Sequence, residues 1–202
     1  CDPKAMSAPE SSGLRVTVNF HPDRQWFGNT ILGWLVDDGV YRSQFDQASS
    51  VGSLSAARGT SRWHDDRRVV DGVYDESDLV DRPKTAAVNH RNRPYGGAPR
   101  FGSAHLRLKP AVLERTTFCL PNLSFETDVG LDDLAALIER AGRLGTDLLD
   151  DYVEAHVHGR ITVAEDVEAL VLDPAYRDTN FADLASELPC PVEWHAGFRL
   201  NV

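Results

Sequence analysis

Acid–base side chains recur at every second position in the segment Asp151–Arg160. The β-forming residues around them predict a strand. Because side chains alternate along a strand, Glu154, His156 and His158 share one face. A carboxylate beside two imidazoles can move protons and can stabilise a positive charge that develops on a substrate. A hydrated polar face without chemical function has the same pattern, so other parts of the chain have to support this candidate site.

Two other interpretations of this face stay open. Imidazole and carboxylate ligands suit zinc or iron, so Glu154, His156 and His158 could form the site of a metal-dependent enzyme. A further ligand such as His105 or His195 would have to converge on them. The face could also belong to a module that binds a partner without catalysis. Loss of activity on chelation would support the metal, and unchanged behaviour of a Glu154→Gln variant would support the binding module.

Two further segments carry groups that could bind a charged cofactor. The first predicted strand, Leu14–Phe20, is followed closely by a proline. His21 and Arg24 therefore lie at a strand exit, where functional sites are common. A glycine-rich segment over 95–103 precedes another predicted strand, and it matches neither a Walker A loop nor a Rossmann fingerprint.

The order of these groups along the chain suits the transfer of ADP-ribose from NAD. Basic groups come first, a small hydroxyl residue beside glycines comes next, and a carboxylate on a late strand comes last. Loss of nicotinamide leaves an oxocarbenium-like ribose, whose charge a carboxylate stabilises. The same carboxylate can take the proton of an incoming hydroxyl. Basic side chains can hold phosphates, and aromatic rings can stack on nicotinamide.

Hydrophobic periodicity predicts the elements that position these groups. Helices are predicted over 30–38 and Leu131–Leu144. For Ala164–Leu172 a helix is the preferred prediction, although the sequence Val-Leu-Asp-Pro at its end would also suit the end of a strand. The first helix has Asn29 as its expected N-cap and Gly39 as its C-terminal stop. Strands are predicted over Leu14–Phe20, Thr85–Asn89, Ala104–Lys109, Arg115–Leu120, Asp151–Arg160 and Pro189–Val202.

The length and composition indicate one globular domain. The chain has 202 residues, of which 42% are hydrophobic, and a formal net charge of −10. The negative charge argues against nucleic acid or an anionic membrane as a partner, and it suits a protein partner with a basic patch. Residues 1–13 are expected to be a disordered leader or a cloning remnant, and 14–202 a single domain with a loop-rich insertion around 58–94.

The cysteines give no sign of a structural zinc site. Cys1, Cys119 and Cys190 lack the required spacing, and no metal is expected. Their small, odd number suits a reducing compartment, although a bond between Cys119 and Cys190 stays open. No classical signal peptide and no stretch of transmembrane length are visible in the sequence.

Long segments of the chain resemble the CteC-like family of bacterial ADP-ribosyltransferases, which includes a Chromobacterium effector. The resemblance covers about residues 14–200, and it rests on His21–Arg24, Gly39–Phe45, Pro99–Leu106, Tyr152–Gly159 and Asp166–Pro174. Members attach ADP-ribose from NAD to a threonine of ubiquitin. The resemblance implies this activity here, in a bacterial protein that reaches the host cytosol and blocks ubiquitination. It also implies an α+β fold with two facing, mostly antiparallel sheets, flanking helices and an NAD cleft.

The resemblance also implies roles for individual residues. Glu154 corresponds to the catalytic carboxylate and His156 to the neighbouring position that orients the acceptor, with Glu168 as a rival carboxylate. The implied NAD-binding residues are His21, Arg24, Tyr41, Arg42, Ser43, Gln44, Phe101, Gly102 and Ser103. The chain departs from the common arginine–serine–glutamate pattern, since Glu154-Ala155-His156 stands where a Glu-x-Glu pair is usual.

Overall fold

The structure is a computed structural model that describes residues 13–26, 28–42, 81–121, 128–145, 147, 149 and 151–197. Two residues implied to bind NAD, Ser43 and Gln44, lie outside the described residues. So do nearly all of the expected leader and the larger part of the expected insertion.

Seven strands form one large sheet. In spatial order they are β11 (Val192–Trp194), β10 (Val167–Leu172), β6 (Ala104–Leu108), β1 (Val16–Phe20), β5 (Lys84–Val88), β8 (Val153–Val157) and β7 (Thr116–Cys119). Neighbouring strands are antiparallel except β10 and β11, which are parallel. Two short sheets pair β2 (Gln25–Trp26) with β3 (Asn29–Thr30), and β4 (Val40–Tyr41) with β9 (Ile161–Thr162).

The chain therefore has an α+β fold built on a large mixed sheet. The resemblance implied two facing sheets, whereas the described residues form this sheet and two short ribbons. The reason lies in β1, which pairs with β6 on one side and β5 on the other. Strands from both halves of the chain thereby continue one hydrogen-bonded ladder. Predicted strands correspond to β1, β5, β6, β7, β8 and β11, the last being shorter than expected.

Helix α1 (Ile31–Asp38) confirms the helix predicted over 30–38. Its N-cap is Thr30 rather than Asn29, because the Thr30 hydroxyl accepts a hydrogen bond from the backbone N–H of Gly33 at 3.0 Å. Gly39 ends the helix with φ of 66°, and its N–H donates to the carbonyl of Leu35. A left-handed backbone of this kind favours glycine, as the sequence indicated.

The other α-helices among the described residues are α2 (Leu134–Arg143), α3 (Val163–Asp166) and α4 (Asn180–Ala185). The first confirms the helix predicted over Leu131–Leu144. The helix predicted over Ala164–Leu172 is wrong, because the chain leaves α3 and continues as β10. That strand lies inside the sheet with mostly buried residues, and such strands read as continuous apolar runs that resemble a buried helix. No helix in the described parts of the chain is long and apolar enough to cross a membrane.

Strand alternation gives the sheet one apolar and one polar face. Val153, Ala155 and Val157 are fully buried in the main core, together with residues of α1 and α2. Glu154 and His156 alternate with them and point to the opposite face. The apolar packing of one face thus fixes which side chains the other face presents.

Candidate functional site

The polar side chains of β7 and β8 meet at one edge of the large sheet. In the antiparallel register, Cys119 lies opposite Glu154 and Thr117 lies opposite His156. Directly opposed residues of antiparallel strands point to the same face, with their Cβ atoms about 5 Å apart. Backbone pairing therefore brings four chemically active side chains together before any loop contributes.

The imidazole of His156 is held between two carboxylates. Its Nδ1 lies 2.6 Å from Oδ2 of Asp128, and its Nε2 lies 3.1 Å from Oε1 of Glu154. Burial alone lowers the pKa of His156, but hydrogen bonds and charges of the two carboxylates outweigh it and raise the pKa to about 10. At neutral pH His156 is therefore an imidazolium that donates to both carboxylates.

Asp128 extends this arrangement to a second histidine. The Thr117 hydroxyl donates to Oδ2 of Asp128 at 2.5 Å, so it accepts from Nε2 of His158 at 2.9 Å. Burial opposes ionisation of Asp128, but the hydrogen bonds of His156 and Thr117 prevail and lower its pKa. Burial, aided by the charge of His156, lowers the pKa of His158, which stays neutral. We call the connected side chains of Glu154, His156, Asp128, Thr117 and His158 the edge network.

Glu154 is the carboxylate of the edge network that a substrate can reach. Its side chain is 19% exposed, compared with 8% for Asp128 and 10% for His156. One oxygen of Glu154 accepts from His156, and the other accepts no hydrogen bond from a described residue. Both ring nitrogens of His156 already have partners. Glu154 is therefore accessible to a substrate, and His156 holds the Glu154 carboxylate in position.

The glycine-rich segment lies over the polar face because side chains of β1 bind its backbone. The Thr17 hydroxyl accepts from the N–H of Gly97 at 2.8 Å, and the Asn19 amide donates to the carbonyl of Tyr95 at 2.9 Å. Thr17 is separated from Glu154 only by β5, since Ala87 pairs with both. The segment is therefore fixed beside the edge network.

An aromatic pair stands next to Glu154 on the same face. The ring of Phe101 meets the ring of Tyr152 edge to face, with centroids 5.8 Å apart. Tyr152 precedes Glu154 by two positions and is buried. Gly102 allows this approach, because a Cβ there would lie 2.1 Å from the carbonyl carbon of Phe20. The structure thus brings Phe101 and Gly102 close to β1 and Phe101 close to the start of β8.

Ser103, His21 and Arg24 lie farther from Glu154. The Ser103 carbonyl accepts from Nε2 of His195 at 2.8 Å. His21 and Arg24 flank the turn after β1, where the N–H of Arg24 donates to the carbonyl of His21. Strand geometry puts the His21 backbone about 13 Å along the sheet and about 10 Å across it from Glu154.

Tyr41 and Arg42 are not on the face that carries Glu154. The ring of Tyr41 packs edge to face on Phe20 at 6.1 Å, within the apolar core, and burial raises its pKa to about 12. The Arg42 guanidinium lies 5.5 and 5.4 Å from the ring centroids of Trp26 and Trp34. These contacts are typical of packing at the edge of the core.

The other candidates considered from the sequence lie elsewhere. Glu168 of β10 forms ion pairs at 2.6 and 2.9 Å with Arg15, which precedes β1, and with Arg107 of β6, towards the opposite edge of the large sheet. His105 pairs with Val171 of β10 in that same region, and His195 binds Ser103 as described. Neither histidine converges on Glu154.

Sequence reasoning missed two members of the site. Cys119 was assessed for disulfide and zinc spacing alone, although it follows Thr117 on one face of a predicted strand. It forms no disulfide, and neither does Cys190. Asp128 lies beside Val129, which bridges to Phe118 of β7. No periodic pattern surrounds Asp128, so only the folded chain reveals its contact with His156.

Comparisons with known proteins give a family match. The chain matches the family described as a protein of unknown function (DUF3626) over residues 15–130 and 128–202. The two segments together span nearly the entire chain. No curated protein matches the chain.

Proposed function

The chain belongs to the DUF3626 family of proteins of unknown function, and we propose that it is a mono-ADP-ribosyltransferase acting on a threonine of ubiquitin. The observation that carries the proposal is the contact between Glu154 and His156. It holds a solvent-accessible carboxylate in place on a rigid sheet, beside an aromatic pair and a glycine-rich segment. The resemblance of the sequence motifs supports the choice of NAD and ubiquitin.

In the proposed reaction, the bond between C1′ of the ribose and the nicotinamide nitrogen of NAD breaks. Nicotinamide leaves with the electron pair, and the ribose becomes oxocarbenium-like. Glu154 stabilises this positive charge and accepts the proton of the threonine hydroxyl, whose oxygen forms the new bond to C1′. His156 does not contact the substrate in this scheme. It fixes the position of the Glu154 carboxylate, and Asp128 fixes His156.

The same face offers groups for the rest of NAD. Phe101 is the aromatic side chain available to stack on nicotinamide, because it stands next to Tyr152 and the glycine-rich segment. The His21 backbone lies at roughly 16 Å from Glu154 by strand geometry, a separation that suits the far phosphate and ribose of an extended dinucleotide. Arg24 lies just after it, across the turn that follows β1. Tyr41 and Arg42 have packing roles in this proposal, since they lie on the opposite face.

The proposal includes the assignment of the chain to the ADP-ribosyltransferase-like fold. The large sheet with its two short ribbons is a variant of the ADP-ribosyltransferase-like fold, in which the glycine-rich segment covers the NAD site. Action in the host cytosol on ubiquitin follows from the same resemblance. The net charge of −10 supports a protein partner that presents a basic patch.

Intact-mass spectrometry of ubiquitin after incubation with the protein and NAD tests the proposal. We expect ubiquitin to gain the mass of one ADP-ribose, and fragmentation to place it on a threonine. Ubiquitin of unchanged mass, with NAD also unconsumed, would overturn the proposal. If NAD is consumed but the mass of ubiquitin is unchanged, ubiquitin is not the acceptor, and the proposed cleavage of NAD with Glu154 still stands.

A further inference from the structure

Two members of the edge network, together with a cysteine beside them, have the composition of a metal site. Cys119, Glu154 and His156 each offer one ligand atom, and these sulfur, oxygen and nitrogen atoms all lie within 4.8 Å of one another. The register explains the cluster, since Cys119 and Glu154 are opposed and His156 lies two residues along the same face. Thiolate, carboxylate and imidazole together suit zinc and similar divalent ions.

The surroundings of His156 match those of a metal-binding histidine. Such a histidine usually donates its other ring N–H to a carboxylate, which fixes the tautomer and the ring orientation. Nδ1 of His156 has this partner in Asp128 at 2.6 Å, and Thr117 in turn binds Asp128. The remaining nitrogen, Nε2, therefore points towards Glu154, and Cys119 lies opposite Glu154 on the neighbouring strand.

The spacing between the nitrogen and oxygen ligand atoms fits a single ion. Nε2 of His156 lies 3.1 Å from Oε1 of Glu154. Two ligands of a tetrahedral zinc ion with bonds of about 2.0–2.1 Å are separated by about 3.4 Å. Cys119 is partly exposed and on the edge strand, so its side chain can move towards the ion and the ion can enter from solvent.

We propose that Cys119, Glu154 and His156 bind a zinc-class divalent cation, and that this ion inhibits the transfer reaction by occupying Glu154. On binding, Cys119 releases its thiol proton and His156 releases the proton on Nε2. The ion forms bonds to sulfur, nitrogen and oxygen, with water as the fourth ligand. The binding half is independent of the proposed function, whereas the inhibition half rests on it.

Cobalt(II) titration of the metal-free protein tests the binding half, because a thiolate–cobalt bond gives a near-ultraviolet charge-transfer band. We expect one ion per chain. Cys119→Ser should lose the charge-transfer band. Asp128→Asn should retain the band but bind cobalt about 10- to 100-fold more weakly. Cys190→Ser, which changes the other described cysteine, should titrate like the wild type. Identical titrations of Cys119→Ser and wild type, or no band in the wild type, would overturn the proposal.

Zinc inhibition of ubiquitin modification tests the second half. Relative to its own zinc-free rate, Cys119→Ser should need at least tenfold more zinc than the wild type for half inhibition. Equal zinc sensitivity of the two proteins would overturn the inhibitory role. Cobalt binding in a wild-type protein that never modifies ubiquitin would leave the metal site standing and refute the transferase. Ubiquitin modification by a wild-type protein that binds no ion would refute the metal site and leave the transferase standing.

Discussion

Oδ2 of Asp128 lies 2.6 Å from Nδ1 of His156, although the two residues are 28 positions apart in the chain. The contact joins a segment beside β7 to the centre of β8. It orients the imidazole so that its other nitrogen meets Glu154. Loss of either partner would leave a buried group unsatisfied, which costs more than the hydrogen bond itself contributes. Asp128 is therefore as much a part of the candidate site as Glu154 is.

Replacement of Asp128 tests this positioning role. Asp128→Asn keeps the shape but removes the charge that holds His156, so kcat for ubiquitin modification should fall about 10- to 100-fold, as for lost supporting contacts elsewhere. Stability should fall by about 1–3 kcal/mol in urea unfolding. Asp178→Asn, at an exposed aspartate, is the control. An unchanged kcat for Asp128→Asn would remove Asp128 from the mechanism.

Phe101 gives a test of the proposed nicotinamide contact. Phe101→Leu keeps an apolar side chain but loses the flat ring, so the KM for NAD should rise about five- to tenfold, on the order of 1 kcal/mol of stacking. Steady-state kinetics at saturating ubiquitin measure this. Phe181→Leu, which loses a similar ring contact to Tyr176 at 5.5 Å, is the matched control. Equal KM values for the two variants would exclude the stacking role.

Gly102 tests the close approach that positions the glycine-rich segment. A Cβ at Gly102 would overlap the backbone of Phe20, so Gly102→Ala should destabilise the protein by about 3 kcal/mol or more. Gly142 lies in helix α2, and beyond its chain neighbours and the backbone of its own helix nothing lies within 4 Å of an added Cβ. Gly142→Ala should therefore stabilise the protein by up to about 1 kcal/mol. Urea unfolding compares them. A Gly102→Ala protein as stable as the wild type would contradict the described packing.

The burial of His105 should make the stability of the fold sensitive to acid, independently of catalysis. Burial lowers the pKa of His105 to about 3, with smaller contributions from the neighbouring His195 and Arg107, which Glu193 partly opposes. Its Nδ1 is buried without a hydrogen-bond partner in the described structure. The unfolded chain binds a proton near pH 6.5 and the folded chain does not. Stability is thus complete above that pH and falls towards pH 3.

Between pH 6.5 and about 3, His105 alone should lower the free energy of unfolding by about 1.4 kcal/mol for each pH unit of acidification. A His105→Gln variant cannot take up the proton, so its unfolding free energy should depend less steeply on pH. Urea unfolding of both proteins at several pH values between 7 and about 4 measures the difference. Parallel pH profiles would show that His105 is protonated in the folded chain.

Local patterns predicted the parts of the site that a single strand determines. Alternation in β8 placed Glu154, His156 and His158 on one face, and the edge network confirms this. Local reasoning failed where the sheet order decides. The run in β10 is apolar and buried at every position except Glu168, so its periodicity does not distinguish strand from helix. Asp128 acts across strands, and nothing in its local sequence indicates that contact.

The resemblance and the structure differ most at Tyr41. Its motif implied a place in the NAD cleft, whereas its ring packs in the core against Phe20. The sequence after α1 alternates too briefly to show which face β4 presents, since that strand has two residues. Only its pairing with β9 determines the orientation.

The most direct test of the central claim compares initial rates of ubiquitin modification by the wild type, Glu154→Gln and Glu187→Gln. Glu154→Gln keeps the size of the side chain but loses the charge and the base, so its rate should fall at least about 1,000-fold, with an unfolding midpoint close to wild type. Glu187→Gln, at an exposed glutamate, should match the wild type. A folded Glu154→Gln protein that modifies ubiquitin at the wild-type rate would contradict the account.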